Sequence, residues 1–142
     1  MAARKKKRKK AAPRQLELKT LPQLRRKLWT VMSKSLRDKW RNDDGTTDCY
    51  TCRTQVPKKG KVDCGHGWPK KKYPGTYYDE RNLRPQCVSC NMAGQGEQWR
   101  FFNRLIDEIG QAEFDEMCEW RDTPRPTRKD WYVRSIREWQ AK

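Results

Sequence analysis

Apolar residues are scarce in this sequence. Only 34% of its 142 residues are hydrophobic, and the mean hydropathy is -1.27. Such a chain can build one modest core and little more, so something besides apolar burial must hold the fold together. No apolar run exceeds a few residues, which excludes a membrane-spanning helix. The N-terminus has no apolar stretch of the kind a secretory signal needs, so the expected location is intracellular. The length suits a single compact domain with tails, and most large-cofactor enzymes are thereby excluded.

Acidic residues are nearly missing from the first 41 positions, which carry 16 Lys and Arg against 2 Asp and Glu. The remaining 101 carry 18 against 16, so almost all of the formal charge of +16 sits at one end. Basic density of this kind suits a polyanion, and each neutralised phosphate releases counterions. The run at 4–10 taken alone reads equally well as a solvated tail or targeting signal. The basic character continues, however, through Arg25, Arg26, Lys27, Lys34, Arg37, Lys39 and Arg41 on a helical pattern, and nucleic acid becomes the first partner to consider.

Four parts are expected. Residues 1–19 form a flexible basic arm. Residues 20–44 form a basic amphipathic helix, capped by Thr20, with Pro22 in its first turn and an apolar stripe of Leu21, Leu24, Leu28, Val31/Met32, Leu36 and Trp40. Residues 45–122 hold short strands near 54–56 and 61–64, a Gly/Pro/Lys/Tyr-rich loop at 67–78, and helices from Cys90 onward that are interrupted at Gly110. Residues 123–142 are a Pro-rich connector and a last helix with a capping box from Thr127 to Asp130. The fold class is α+β. Six of the seven tryptophans lie in helical patterns and read as packing residues. Trp68 lies in a loop beside Lys70, Lys71 and Lys72, which favours nucleic-acid contact over core filling.

Four of six cysteines form two C-x-x-C pairs, Cys49/Cys52 and Cys87/Cys90. Two such turns supply the four thiolates of a closed structural zinc site, and metal binding then contributes folding free energy. A disulfide framework is disfavoured by the lack of a signal peptide, and a redox dithiol by the absence of a βαβ pattern. Cys64 is ambiguous, since Cys64 and His66 could replace one pair. Cys118, in a helical apolar pattern, reads as a buried and inert thiol. Between the pairs lies a long insert that holds His66, the sole histidine, within Asp63-Cys64-Gly65-His66-Gly67. Asn82 precedes the second pair and Asn91 follows it directly.

The order C-x-x-C, then Gly-His, then Asn, then C-x-x-C-Asn resembles the HNH or ββα-metal nucleases. It is most similar to the NinG (Rap) recombination proteins of lambdoid phages, and more distantly to endonuclease VII-type junction resolvases. The likeness covers about residues 49–110 and includes Gly67, Tyr73-Pro74-Gly75, Asn82 and Gln86-Cys87-x-x-Cys90-Asn91. It implies a small zinc-stapled ββα-metal, treble-clef-like core flanked by N- and C-terminal helices, in the host cytoplasm if phage-encoded. It implies further that His66 is the general base, that Asn91 helps hold a catalytic Mg²⁺ or Mn²⁺, and that Asn82 ties the hairpin loop and aims His66.

Family members commonly carry an acidic residue directly before the histidine, where this chain has Gly65. Asp63 is the candidate second ligand of the catalytic cation, with Asp79 or Glu80 as alternatives. On a regular strand Asp63 and His66 face opposite sides, so their convergence would need a bulge near Gly65. The expected activity is metal-dependent DNA endonuclease action on branched intermediates such as Holliday junctions or D-loops. Arg25, Arg26, Lys27, Lys34, Arg37, Lys70, Lys71 and Lys72 are the candidate nucleic-acid contacts, and a homodimer is implied by analogy. The alternative is a non-catalytic zinc-finger protein that binds DNA or a partner.

Overall fold

The computed structural model describes residues 14–93 and 98–142. The basic run at 4–10 and most of the arm lie outside the described residues. The long N-terminal helix, α2 (Leu21–Lys39), follows a single turn, α1 (Arg14–Glu17). Its start is a complete capping box: the Thr20 hydroxyl accepts from the Gln23 N–H, and the Gln23 side chain accepts from the Thr20 N–H. Two of the helix's orphan donors are thus satisfied. The helix ends at Lys39, with Trp40 as its C-cap. Residues 14–19, expected as part of a flexible arm, instead place Leu16 in the core.

The stripe on α2 recurs every four residues, and Leu24, Leu28, Met32 and Leu36 are all buried. It serves two partners. Its N-terminal half, Leu24 and Leu28, packs with Leu16 against Tyr132, Val133 and Ile136 of α6 (Lys129–Ala141). Its C-terminal half, Met32 and Leu36, packs against Cys64 and Leu83. These last two lie on an antiparallel pair, β3 (Val62–His66) and β4 (Leu83–Cys87). The helix is therefore a spine between the C-terminal helix and the hairpin.

A smaller antiparallel pair, β1 (Thr47–Asp48) and β2 (Gln55–Val56), precedes the hairpin. After it come α3 (Val88–Ala93), α4 (Gln98–Ile109) and α5 (Gln111–Trp120). Gly110, at φ 87°, makes the break between the last two, a left-handed conformation that glycine adopts without penalty. Tyr50, Phe101, Leu105 and Met117 form a third core there. Among the described residues the chain is thus a mixed α+β structure of six helices and two small sheets.

Some expected details change. The Thr127–Asp130 capping box does not form, because α6 begins at Lys129 after Arg128, which pairs with Asp130 at 2.7 Å. Trp68 is not a free stacking platform. It packs on Phe102, Tyr73 and Phe114, with the Arg121 guanidinium 4.6 Å from its ring centroid. The aromatic residues of α4 and α5 give the loop an apolar wall, and a large ring gains more by covering that wall than by facing water. Trp99 and Trp120 show the reverse, being 59% and 54% exposed.

Candidate metal centre and cleft

The first cysteine pair sits in the turn of the β1–β2 hairpin. Cys49 N–H donates to Thr54 O and Arg53 N–H to Cys49 O, both at 3.0 Å, and Arg53 takes a left-handed φ of 64° to close the turn. The second pair spans the junction of β4 and α3, Cys87 ending the strand and Cys90 lying in the first helical turns. A backbone bond from Tyr50 N–H to Pro85 O at 2.7 Å brings the two turns together. All four sulfurs then lie within 4.8 Å of one another. The Cys52–Cys87 sulfur separation is 3.9 Å, close to the edge of about 3.8 Å for a tetrahedron with Zn–S bonds of about 2.3 Å.

These four cysteines could hold a metal ion such as zinc. Burial, and then the neighbouring sulfurs, push the Cys90 thiol well up, and a bound divalent cation is what lets such a crowded set ionise together. Cys64 is elsewhere, buried between Met32, Leu36 and Leu83. That burial pushes its thiol up to about 12, so it behaves as a small apolar residue. The alternative in which Cys64 and His66 replace a cysteine pair is not the arrangement of the fold. Cys118 on α5 is half-buried rather than sealed in the core.

His66 is the last residue of β3. Its ring stacks on Trp29 of α2, with centroids 5.0 Å apart, and its Nε2 lies 3.1 Å from Tyr77 O. A carbonyl can only accept, so Nε2 carries the proton and Nδ1 keeps the lone pair. Burial lowers the imidazole pKa to about 4, against the smaller opposing effect of the Tyr77 carbonyl. The ring is therefore neutral at physiological pH, with Nδ1 unprotonated.

Pairing of β3 with β4 runs unbroken from Val62–Cys87 to His66–Leu83, so the bulge that would bring Asp63 and His66 to one ion is absent. Cys64 and His66 face α2, and Asp63 and Gly65 face the other way. There Asp63 accepts from Asn91 Nδ2 at 3.0 Å, and its other oxygen lies 3.6 Å from Lys61 Nζ. Asp79 caps the turn at 80–82 and pairs with Arg81, and Glu80 pairs with Lys39 and Lys142. Both alternatives to Asp63 are thus engaged away from Asn91.

Asn82 is fully buried. Its Oδ1 accepts from Trp68 N–H at 2.6 Å, and its Nδ2 donates to Trp68 O and Thr76 O. These bonds tie the loop after His66 to the start of β4. An open cleft of ≈ 750 Å³ runs beside the strand end, lined by His66, Gly67, Gln86, Asn91 and all three of Lys70, Lys71 and Lys72. The three lysines are exposed.

The basic residues of α2 divide by environment. Arg25 is spent internally, its guanidinium bonding Tyr132 Oη and Pro126 O across the α2–α6 seam. Lys34 pairs with Asp38 at 2.6 Å while staying exposed, and Lys27 and Lys34 line a second groove with Trp139 and Lys142. Arg26 is exposed, and Arg37 is half-buried, near enough to Cys64 to act on it electrostatically. Two contributors carried no sequence signal of their role, since Trp29 and Tyr77 meet His66 only after folding.

A family model described as "Bacteriophage Lambda NinG protein" matches residues 1–142. Among curated proteins, Protein ninG of Escherichia phage 933W is 31% identical over 102 residues, 72% of this chain and 47% of that protein. Protein ninG of Salmonella phage P22 is 34% identical over 77 residues, 54% of this chain and 37% of the relative. The corresponding protein of Escherichia phage lambda is 32% identical over the same length. The chain thus spans about half the length of these relatives or less. No solved structure matches it.

Proposed function

The chain belongs to the NinG family of lambdoid phages, and from that premise we propose that it is a zinc-stapled, Mg²⁺- or Mn²⁺-dependent endodeoxyribonuclease acting on branched recombination intermediates, a Holliday junction or D-loop. The observation that carries this reading is the single cleft shared by His66, Asn91 and three lysines. It joins a neutral imidazole, oxygen donors for a hard cation and a cationic wall for phosphates. The hairpin β3–β4 followed by α3 also has the strand–strand–helix order for which ββα-metal nucleases are named.

His66 takes the proton of the attacking water at Nδ1. Asn82 keeps the loop closed over it, and Lys70 to Lys72 hold flanking phosphates without reading base sequence. Asn91 and Asp63, already hydrogen-bonded to each other, are the donors for a divalent cation, which when bound supplies positive charge to the scissile phosphate and the leaving 3′-oxygen. Displacement at phosphorus is in line, so proton acceptor and leaving-oxygen stabiliser belong on opposite sides. Of the two donors, Asn91 is the one that shares the cleft with His66, whereas Asp63 lies on the other face of β3. Both strands of a symmetric junction require two such clefts, which makes a homodimer the working assembly.

The test is incubation of the purified chain with a labelled four-way junction and a linear duplex, in Mg²⁺ or in EDTA. Cleavage of the junction in Mg²⁺ alone, leaving 5′-phosphate and 3′-hydroxyl ends, is expected. Binding without cleavage in either Mg²⁺ or Mn²⁺ would leave a non-catalytic zinc-finger DNA-binding protein. Replacing Lys70, Lys71 and Lys72 by alanine is expected to flatten the dependence of log affinity on log salt by up to about 2.7, the release expected for three phosphate contacts. An unchanged slope in a filter-binding titration would remove the loop from the DNA interface.

A further inference from the structure

Position 65 has no side chain, and the structure shows what fills its place. A Cβ on Gly65 would stand 1.8 Å from Gln86 Oε1, 2.6 Å from Cδ and 2.8 Å from Cγ. The carboxamide of Gln86 therefore occupies the volume a residue at 65 would claim. Gln86 is only 6% exposed, and it is oriented from behind, since Nε2 donates to the buried Thr51 Oγ1 at 2.8 Å. The nitrogen is committed, and no donor among the described residues reaches Oε1.

The neighbours make that oxygen informative. Gln86 is the cross-strand partner of Asp63, so both project from the same sheet face. Asp63 in turn holds the Asn91 amide nitrogen, which leaves Asn91 Oδ1 as the second uncommitted carboxamide oxygen. Gln86 and Asn91 both line the cleft, whereas Asp63 does not. Two carboxamide oxygens, each fixed through its own nitrogen, with a carboxylate beside them, form the hard oxygen set that Mg²⁺ and Mn²⁺ prefer.

We propose that Gln86 Oε1 is a ligand of the divalent-cation site, standing beside Asn91 Oδ1 in the space that Gly65 leaves open. This rests on the nuclease reading above for the existence of that site, and adds the donor that completes it. Thr51 lies between Cys49 and Cys52, so a metal held by the four thiols would fix Gln86 through Thr51 and Asn91 through Cys90.

The test measures binding of Mn²⁺ alone, without DNA, to the zinc-loaded full chain by the electron paramagnetic resonance of free Mn²⁺. Gln86→Ala is expected to weaken binding at least about tenfold, the lower bound set by losses of outer-shell partners. Gly65→Asp combined with Gln86→Ala is expected to regain it, because the vacated space then admits a carboxylate. Failure of that recovery means Gln86→Ala acted through packing, and overturns the proposal. Should Gln86→Ala fail to fold, Gln86→Glu decides. Its carboxylate can accept from the Thr51 hydroxyl and is expected to tighten Mn²⁺ binding about tenfold, whereas unchanged or weaker binding overturns the assignment. Equal binding by wild type and Gln86→Ala overturns it while leaving the nuclease reading intact, and no Mn²⁺ binding by wild type removes both.

Discussion

His66→Ala is expected to lower junction cleavage by about 10²- to 10⁴-fold, the range for loss of a positioned general base, with junction affinity within about twofold of wild type. The geometry gives the reason. Tyr77 O holds the Nε2 proton at 3.1 Å, so the opposite nitrogen is a lone-pair base in the correct tautomer, and alanine offers nothing in its place. Zinc content and unfolding temperature serve as controls for folding. Cleavage at near wild-type rate by His66→Ala would end the enzyme reading.

The same residue sets a pH dependence whose sign can be worked out. Burial lowers the native pKa to about 4 from an ordinary value of 6.5. Between those values the unfolded chain binds a proton that the native chain refuses, so stability is complete above about pH 6.5 and declines as pH falls toward 4. The full contribution is about 3 kcal/mol. His66→Gln is expected to flatten the unfolding free energy over that window, measured by urea titration at several pH values. Trp29 covers one face of the ring, so Trp29→Leu should raise the imidazole pKa and carry the acid limb of cleavage upward with it. A limb that stays fixed would mean that a different group titrates.

Loss of a metal held by the four thiols is expected to have the largest structural effect. The cores are small, and the links between the β1–β2 turn and β4 include Tyr50 N–H to Pro85 O, Gln86 to Thr51 and the Arg84 guanidinium over the Tyr50 ring. Structural zinc in small domains is worth about 10–16 kcal/mol of apparent binding free energy, more than the stability of a typical domain. Cys87→Ser, or chelation after mercurial release of the thiols, should therefore abolish cooperative unfolding of the hairpin and α3–α5. The α2–α6 pair has its own core of Leu24, Leu28, Tyr132 and Ile136, and should retain part of the helical circular dichroism. One zinc per chain is expected by metal analysis. Folded protein free of zinc, with an unchanged unfolding curve, would show that the four thiols are not the staple.

Local signals read correctly where local physics governs. The apolar recurrence on α2 and the Thr20 cap were legible because a helix satisfies its own backbone and exposes one stripe to burial, whereas the reciprocal bond from Gln23 appeared only in the structure. The cysteine spacing was legible because a two-residue gap fits one ion from one turn. The Thr127 box failed because a capping pattern competes with the exit angle of a connector, and the connector here is held by Tyr132 and Arg25, both bonded to Pro126 O.

By itself the sequence determined an α+β chain, a basic end, four thiols grouped for one metal and a lone imidazole inserted between them. Each of these follows from composition or from residues close along the chain. Folding alone decided that Trp29 would cover His66, that Arg25 would be used internally, that Trp68 would join a core and that Gln86 would fill the space over Gly65. All of those are contacts between distant segments, fixed by strand register and by which half of the α2 stripe meets which partner, and neither is encoded by any single neighbourhood of residues.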